Sequence, residues 1–145
     1  MLPDSSEQVA RRRRTGSREH VLIVDDDPAV RNMTARVLGE VGFNTTAAAD
    51  GVEALDVVAK RPEAFDAVLS DVVMPRLDGI GLLERLGRLR PSLPVLLMSA
   101  YTPQDLDRQG ITPLCGVLTK PCRREDLVAA LRECIDRRPG PPAQA

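Results

Sequence analysis

Four short apolar runs, each ending on polar residues, constrain this chain more than any other feature. They are VLIVDD (Val21 to Asp26), AVLSD (Ala67 to Asp71), VLLMS (Val95 to Ser99) and VLTK (Val117 to Lys120). Short Val/Leu/Ile runs separated by helical patterns are how buried parallel strands read in a sequence. An open parallel sheet binds its ligands beyond the carboxyl ends of its strands, where the strand order reverses. One such edge gathers Asp25, Asp26, Asp71, Ser99 and Lys120 into a single acidic pocket.

The segments between these runs alternate with them. A first strand (about 20–25) leads into a helix from Pro28 to about Val41, with Val30, Met33, Val37, Leu38 and Val41 as one apolar stripe at helical spacing. Phe43 to Ala48 is a weaker strand. Gly51 to Lys60 is a helix with Val52, Leu55, Val58 and Ala59 facing inward. The strand ending at Asp71 precedes a helix over Asp78 to Leu89. The strand ending at Ser99 precedes a short, poorly patterned helix near Pro103 to Gln109. A brief strand near Gly116 to Leu118 leads to a last helix, Arg123 to Arg137, that buries Leu127, Val128, Leu131, Cys134 and Ile135. Five strands alternating with five helices predict right-handed crossovers and an α/β doubly wound sheet in a single domain.

The 145 residues suffice for one such domain and not for two. Aromatic residues are 2% of the chain, so the core must be aliphatic and base stacking on single-stranded nucleic acid is disfavoured. Residues 1–19 carry five arginines against Asp4, Glu7 and Glu19, a balance of +2, which leaves −3 of the net −1 for the remainder. That polar leader lacks periodicity and is expected to be disordered, with Arg11 to Arg14 read as a solvated charge run. The proline-rich 139–145 is expected to be a flexible tail. Cys115, Cys122 and Cys134 have no C-x2-C spacing, so neither a zinc site nor a disulfide framework is expected. No segment approaches the roughly 18 apolar residues of a membrane span, and no apolar stretch follows the N-terminal arginines. A cytoplasmic protein without membrane contact is the expectation.

At the predicted edge, Asp27 precedes Pro28, which suits a first helical position, so Asp27 is expected to cap the helix rather than join the pocket. Asp71 closes an otherwise apolar strand, where a carboxylate costs free energy unless a cation or donors compensate it. Three neighbouring carboxylates require either a proton or a divalent cation. Mg2+ suits few carboxylates and retained waters. An aspartate beside a cation and a lysine is a competent nucleophile toward phosphorus. Lys120 and the cation then neutralise the equatorial oxygens, and Ser99 donates a hydroxyl hydrogen bond.

With these motifs in place, the chain resembles the receiver domain of bacterial two-component response regulators. The resemblance covers about residues 20–137 and rests on VLIVDDDPAVR, ADGVEAL, LSDVVMPRLDG, LLMSAY and LTKP. It implies a flavodoxin-like sheet of order 2-1-3-4-5, a receiver domain over 20–138, and Asp71 as phosphoacceptor. Asp26, Asp71 and the Val73 backbone carbonyl would ligate Mg2+, with Asp25 acting through a water. Ser99 would follow the phosphoryl group and Lys120 would pair with it. The implied donor is a sensor histidine kinase or a histidine phosphotransfer protein, and the output is a switched contact with a downstream protein. Such domains phosphorylate and dephosphorylate themselves but act as switches, not turnover enzymes.

Departures from the family pattern also matter. Val117 stands where the family usually has Tyr or Phe, so the usual aromatic readout is absent. The poorly patterned stretch from Thr102 to Cys115 resembles receivers attached to hybrid histidine kinases. Val73 and Tyr101 border the path of a hydrolytic water in the family, and their bulk implies a long-lived acyl phosphate. No helix-turn-helix segment follows the last helix, so direct DNA binding is not expected. A Mg-dependent phosphatase would need an acid/base group where Val73 stands. A dinucleotide binder would need a phosphate-cradling loop where Asp25 to Asp27 stand. A pseudo-receiver that binds a partner without phosphorylation remains the alternative.

Overall fold

A computed structural model describes residues 19–74, 76–99, 116–120 and 122–137. The strands are β1 (His20–Val24), β2 (Asn44–Ala48), β3 (Ala67–Asp71), β4 (Val95–Ser99) and β5 (Gly116–Thr119). The helices are α1 (Pro28–Glu40), α2 (Gly51–Lys60), α3 (Gly79–Leu89) and α4 (Arg124–Arg137). All strand pairs are parallel, in the order β2-β1-β3-β4-β5. This is the order expected from the sequence, with the reversal at β1. The short helix expected near Pro103 to Gln109 lies outside the described residues, as do Tyr101 and Cys115.

The period-two alternation of strand side chains sorts the core into two halves. Leu22, Val24, Val68 and Leu97 face α2 and α3, packing with Ala54, Val58, Leu82 and Leu86. Val21, Ile23, Leu69 and Leu96 face α1 and α4, packing with Leu38, Phe43, Leu127 and Leu131. Each sheet face is thereby covered, which is why the strands read as unbroken apolar runs.

Local chemistry sets the helix limits. Asp27 caps α1, its carboxylate accepting the Ala29 amide at 2.9 Å, as expected from Pro28 beside it. α1 stops at Gly42, which takes φ of 105°, a conformation open to glycine because it lacks a Cβ. The turn lets the Phe43 and Gly42 amides reach the Leu38 and Gly39 carbonyls at 3.0 and 3.1 Å. Asp50 and Asp78 cap α2 and α3 in the same way, each accepting an amide at 2.9 Å.

Two expected stripes are buried only in part: Leu38 and Val41 of the first, and Leu55 and Val58 of the second, meet the core. On α1 only Leu38 is fully buried, while Val30 and Met33 are exposed, Met33 by 68%. The helix meets the sheet mainly through its last turns, so its first apolar residues face outward. On α2 the inward residues are Gly51, Ala54 and Val58, and Val52 and Ala59 face solvent. There the start of the helix is pinned close to Leu77, and this fixes its rotation. α4 follows expectation, with Leu127, Leu131, Cys134 and Ile135 buried and Val128 half-buried. The cysteine reading needs correction: Cys134 is disulfide-bonded and Cys122 is a free thiol. A disulfide partner is fixed by where the fold brings two sulfurs, which spacing along the chain does not reveal. Glu19 joins the fold, its carbonyl accepting the Asn44 amide at 2.9 Å and its carboxylate meeting Arg132 at 3.3 Å.

Candidate functional site at the carboxyl edge of the sheet

The carboxyl ends of β1 and β3 lie side by side, because Val24 is in register with Ser70. Asp25 follows Val24, and its amide remains in the ladder, donating to the Ala48 carbonyl at 3.2 Å. Its side chain is buried and turned back, with Oδ1 accepting the Asp27 amide at 2.9 Å. Arg31 of α1 donates to the Asp25 carbonyl at 2.7 Å and so ties the helix to this strand end. Asp26 is exposed, and Asp71 is half-buried at the last position of β3.

Carboxylate oxygens of Asp25, Asp26 and Asp71 lie within 4.8 Å of one another. No other group of three potential metal ligands of this kind occurs among the described residues. Lys120 enters from the end of β5 and sets its Nζ 2.9 Å from Asp71 Oδ2. Its backbone is held at the same edge, the Lys120 amide donating to the Ser99 carbonyl at 2.7 Å. Ser99 is buried at the end of β4, the strand beside β3. The sheet therefore brings all five predicted polar residues to one edge. Asp27 stays with the helix as its cap.

Charge at the edge is unbalanced. Burial pushes the Asp25 carboxyl above its usual range; the Asp27 amide and Lys120 oppose this, while the Asp71 and Asp26 carboxylates add to it. A divalent cation relieves that repulsion. The set offers oxygen donors only and is partly open to solvent, which suits a small hard cation that keeps several waters. These residues fit Mg2+.

Val73 follows β3 on the loop that closes the site. It is 65% exposed, and its amide reaches back to Asp71 Oδ1 at 3.4 Å. Further along the loop, Gly79 donates to the Val72 carbonyl at 2.8 Å. A Cβ on Gly79 would stand 2.3 Å from the Asp71 carbonyl oxygen, so only glycine allows this approach. Val117, at the position where the family usually has an aromatic ring, is half-buried against the core on the α2 and α3 side.

Arg31, Arg76 and Asp50 did not emerge from the sequence. A single arginine in a loop carries no spacing signal, whereas Asp50 before Gly51 carried a capping signal that was open to reading.

Comparison with known proteins follows the same lines. The sequence profile of the response regulator receiver domain matches residues 21–132. Response regulator MprA of Mycobacterium sp. (strain KMS) is 40% identical over 119 residues, covering 81% of this chain and 50% of the relative. The chain spans about half the length, or less, of the curated relatives it matches. Among solved structures, the chemotaxis protein CheY4 of Vibrio cholerae superposes with a TM-score of 0.72 at 30% identity, covering 81% of this chain and 98% of that one. The receiver domain from the hybrid histidine kinase CckA gives 0.67 at 31% identity, over 80% and 98% of the respective chains.

Proposed function

The chain belongs to the response regulator receiver domain family, and from that premise we propose that Asp71 takes a phosphoryl group from a phosphohistidine and so switches a protein contact. The observation that carries this reading is the meeting of Asp25, Asp26 and Asp71 at one edge with Lys120 already paired to Asp71.

The chemistry asked of the residues is modest. An Asp71 carboxylate oxygen attacks phosphorus, a P–O bond forms, and the P–N bond to the donor imidazole breaks, returning its electron pair to nitrogen. Asp26, Asp71 and the Val73 carbonyl would hold Mg2+, with Asp25 acting through a water, and the bound ion supplies positive charge toward the phosphoryl oxygens. Lys120 exchanges its carboxylate partner for a phosphoryl oxygen and needs little movement to do so. Ser99 donates its hydroxyl to a second oxygen. The donor is a sensor histidine kinase or a phosphotransfer protein. Residues 20–138 form the switching unit, which works in the cytoplasm as a phosphorelay component. It is a switch and not a turnover enzyme.

Val117 favours one second reading, a pseudo-receiver that binds its partner without phosphorylation, because the side chain at that position has no ring to reorient. Intact mass after incubation with acetyl phosphate and Mg2+ separates the two. One added phosphoryl group that needs Mg2+ and is lost in Asp71→Asn is the expected result. No addition to folded protein, from acetyl phosphate or from a phosphohistidine donor, would favour the pseudo-receiver.

A further inference from the structure

The loop between β3 and α3 is fastened to α2 by a second set of contacts, away from the carboxylates. Arg76 has φ of 66°, and it is the one residue other than glycine with positive φ among the described residues. An arginine in the left-handed region is strained and persists only when its surroundings hold it there. Here the guanidinium grips Asp50 with both arms, Nε to Oδ2 at 2.8 Å and an Nη to Oδ1 at 3.0 Å. Planar two-point pairing of this kind fixes orientation as well as distance. Asp50 is itself fixed, because it caps α2 through the Glu53 amide at 2.9 Å. The next residue repeats the attachment, with the Gly51 amide donating to the Leu77 carbonyl at 3.1 Å. A Cβ on Gly51 would stand 2.4 Å from that oxygen.

The loop is thus held at both ends. Val72 is bound to Gly79 at the strand side, and Arg76 with Leu77 is bound to the start of α2. Val73 lies between these two anchors. We infer that Arg76 is a positioning residue: by locking onto Asp50 it holds the loop so that the Val73 carbonyl is preset toward the cation of the acidic edge. This rests on the proposed reading of that edge as a Mg2+ site. Preset ligands spare the ordering cost at the moment of binding, so releasing Arg76 weakens the cation before it alters the fold.

The test is an NMR titration of the full chain with Mg2+, following the Val73 amide, with thermal unfolding measured alongside in the absence of metal. Arg76→Asn removes the guanidinium but tolerates the left-handed backbone. Asp50→Ser removes the carboxylate but still caps α2. Each variant should weaken Mg2+ about three- to fivefold, the scale a partly exposed ion pair supplies. The double variant should be no weaker than either single one, because both remove the same contact. Arg76→Lys should fall between, since it keeps the charge and loses the fork. Lys60→Gln, which breaks the exposed Asp56–Lys60 pair on the far end of α2, should leave the affinity unchanged. Unchanged affinity with a lowered unfolding temperature in Arg76→Asn and Asp50→Ser overturns the inference and leaves a purely structural pair. Losses that multiply in the double variant overturn it as well. A wild-type chain that shows no Mg2+ response defeats the reading of the edge itself, an outcome the variants cannot mimic.

Discussion

Asp25 illustrates how much a single carboxylate can carry at this edge. It is buried, accepts one amide, and faces two further carboxylates, with Lys120 committed to Asp71. Its pKa is raised, chiefly by burial, so its charged form opposes folding at neutral pH and that opposition fades as pH falls through the raised value. Asn at this position keeps the acceptor for the Asp27 amide and removes the charge. Asp25→Asn should therefore raise the metal-free unfolding temperature at pH 7 by about 1–3 °C while weakening Mg2+. The gain should shrink at acidic pH, where the wild-type carboxyl is already protonated. Scanning calorimetry at two pH values with and without Mg2+ checks this, and a lowered midpoint at pH 7 would count against it. Asp25, Asp26, Asp71, Ser99 and Lys120 could all be picked from the sequence, because each ends an apolar run. Arg76 could not, since what distinguishes it is a backbone angle and a partner 26 residues away.

Among the elements, the β3–α3 loop is held by glycines whose absent side chains make room for backbone. Gly79→Ala forces a methyl group onto the Asp71 carbonyl, and Gly51→Ala forces one onto the Leu77 carbonyl. Neither neighbour is a flexible side chain that can yield, so the loop itself must shift. Each substitution should cost about 1–3 kcal/mol in urea unfolding. Gly79→Ala should also depress the proposed phosphorylation of Asp71, because it displaces that residue's own peptide. Gly87 offers the control: nothing lies within 4 Å of a Cβ there, so Gly87→Ala should stabilise α3 by roughly 0.5–1 kcal/mol. Leu131 of α4 is fully buried, and Leu131→Ala should cost about 2–5 kcal/mol. Helix α4 followed its expected stripe and α3 its expected bounds. α1 and α2 did so only in part, because apolar residues on two faces leave helix rotation open until neighbours choose between them.

For the whole molecule, His20 at the opposite end of β1 takes stability away on mild acidification, opposite in sign to the Asp25 contribution. Its ring meets Thr46 Oγ1 at 2.7 Å and lies against Phe65. Burial lowers its pKa below the ordinary 6.5, with the Asp66 charge and the Thr45 backbone opposing and Arg61 adding to the decrease. A base with a lowered folded pKa binds protons less well than in the unfolded chain. The stability it supports is present above 6.5 and lost as pH falls toward the folded value. Asp50, held below its usual range first by Arg76, adds a second loss only below about 3.8, its ordinary value. His20→Gln should flatten the change in unfolding temperature between pH 7.5 and 5.5, and an unaltered slope would assign that change elsewhere.

What sequence alone determined were the strands, their order through the family resemblance, the Asp27 cap and the five polar residues of the edge. Each depends on nearest neighbours along the chain or on a period of two or 3.6 residues. Only tertiary structure decided which way α1 and α2 turn, that Cys134 forms a disulfide, and that Arg76 closes on Asp50. Those outcomes depend on distances between segments far apart in sequence, and such distances exist only once the sheet has assembled.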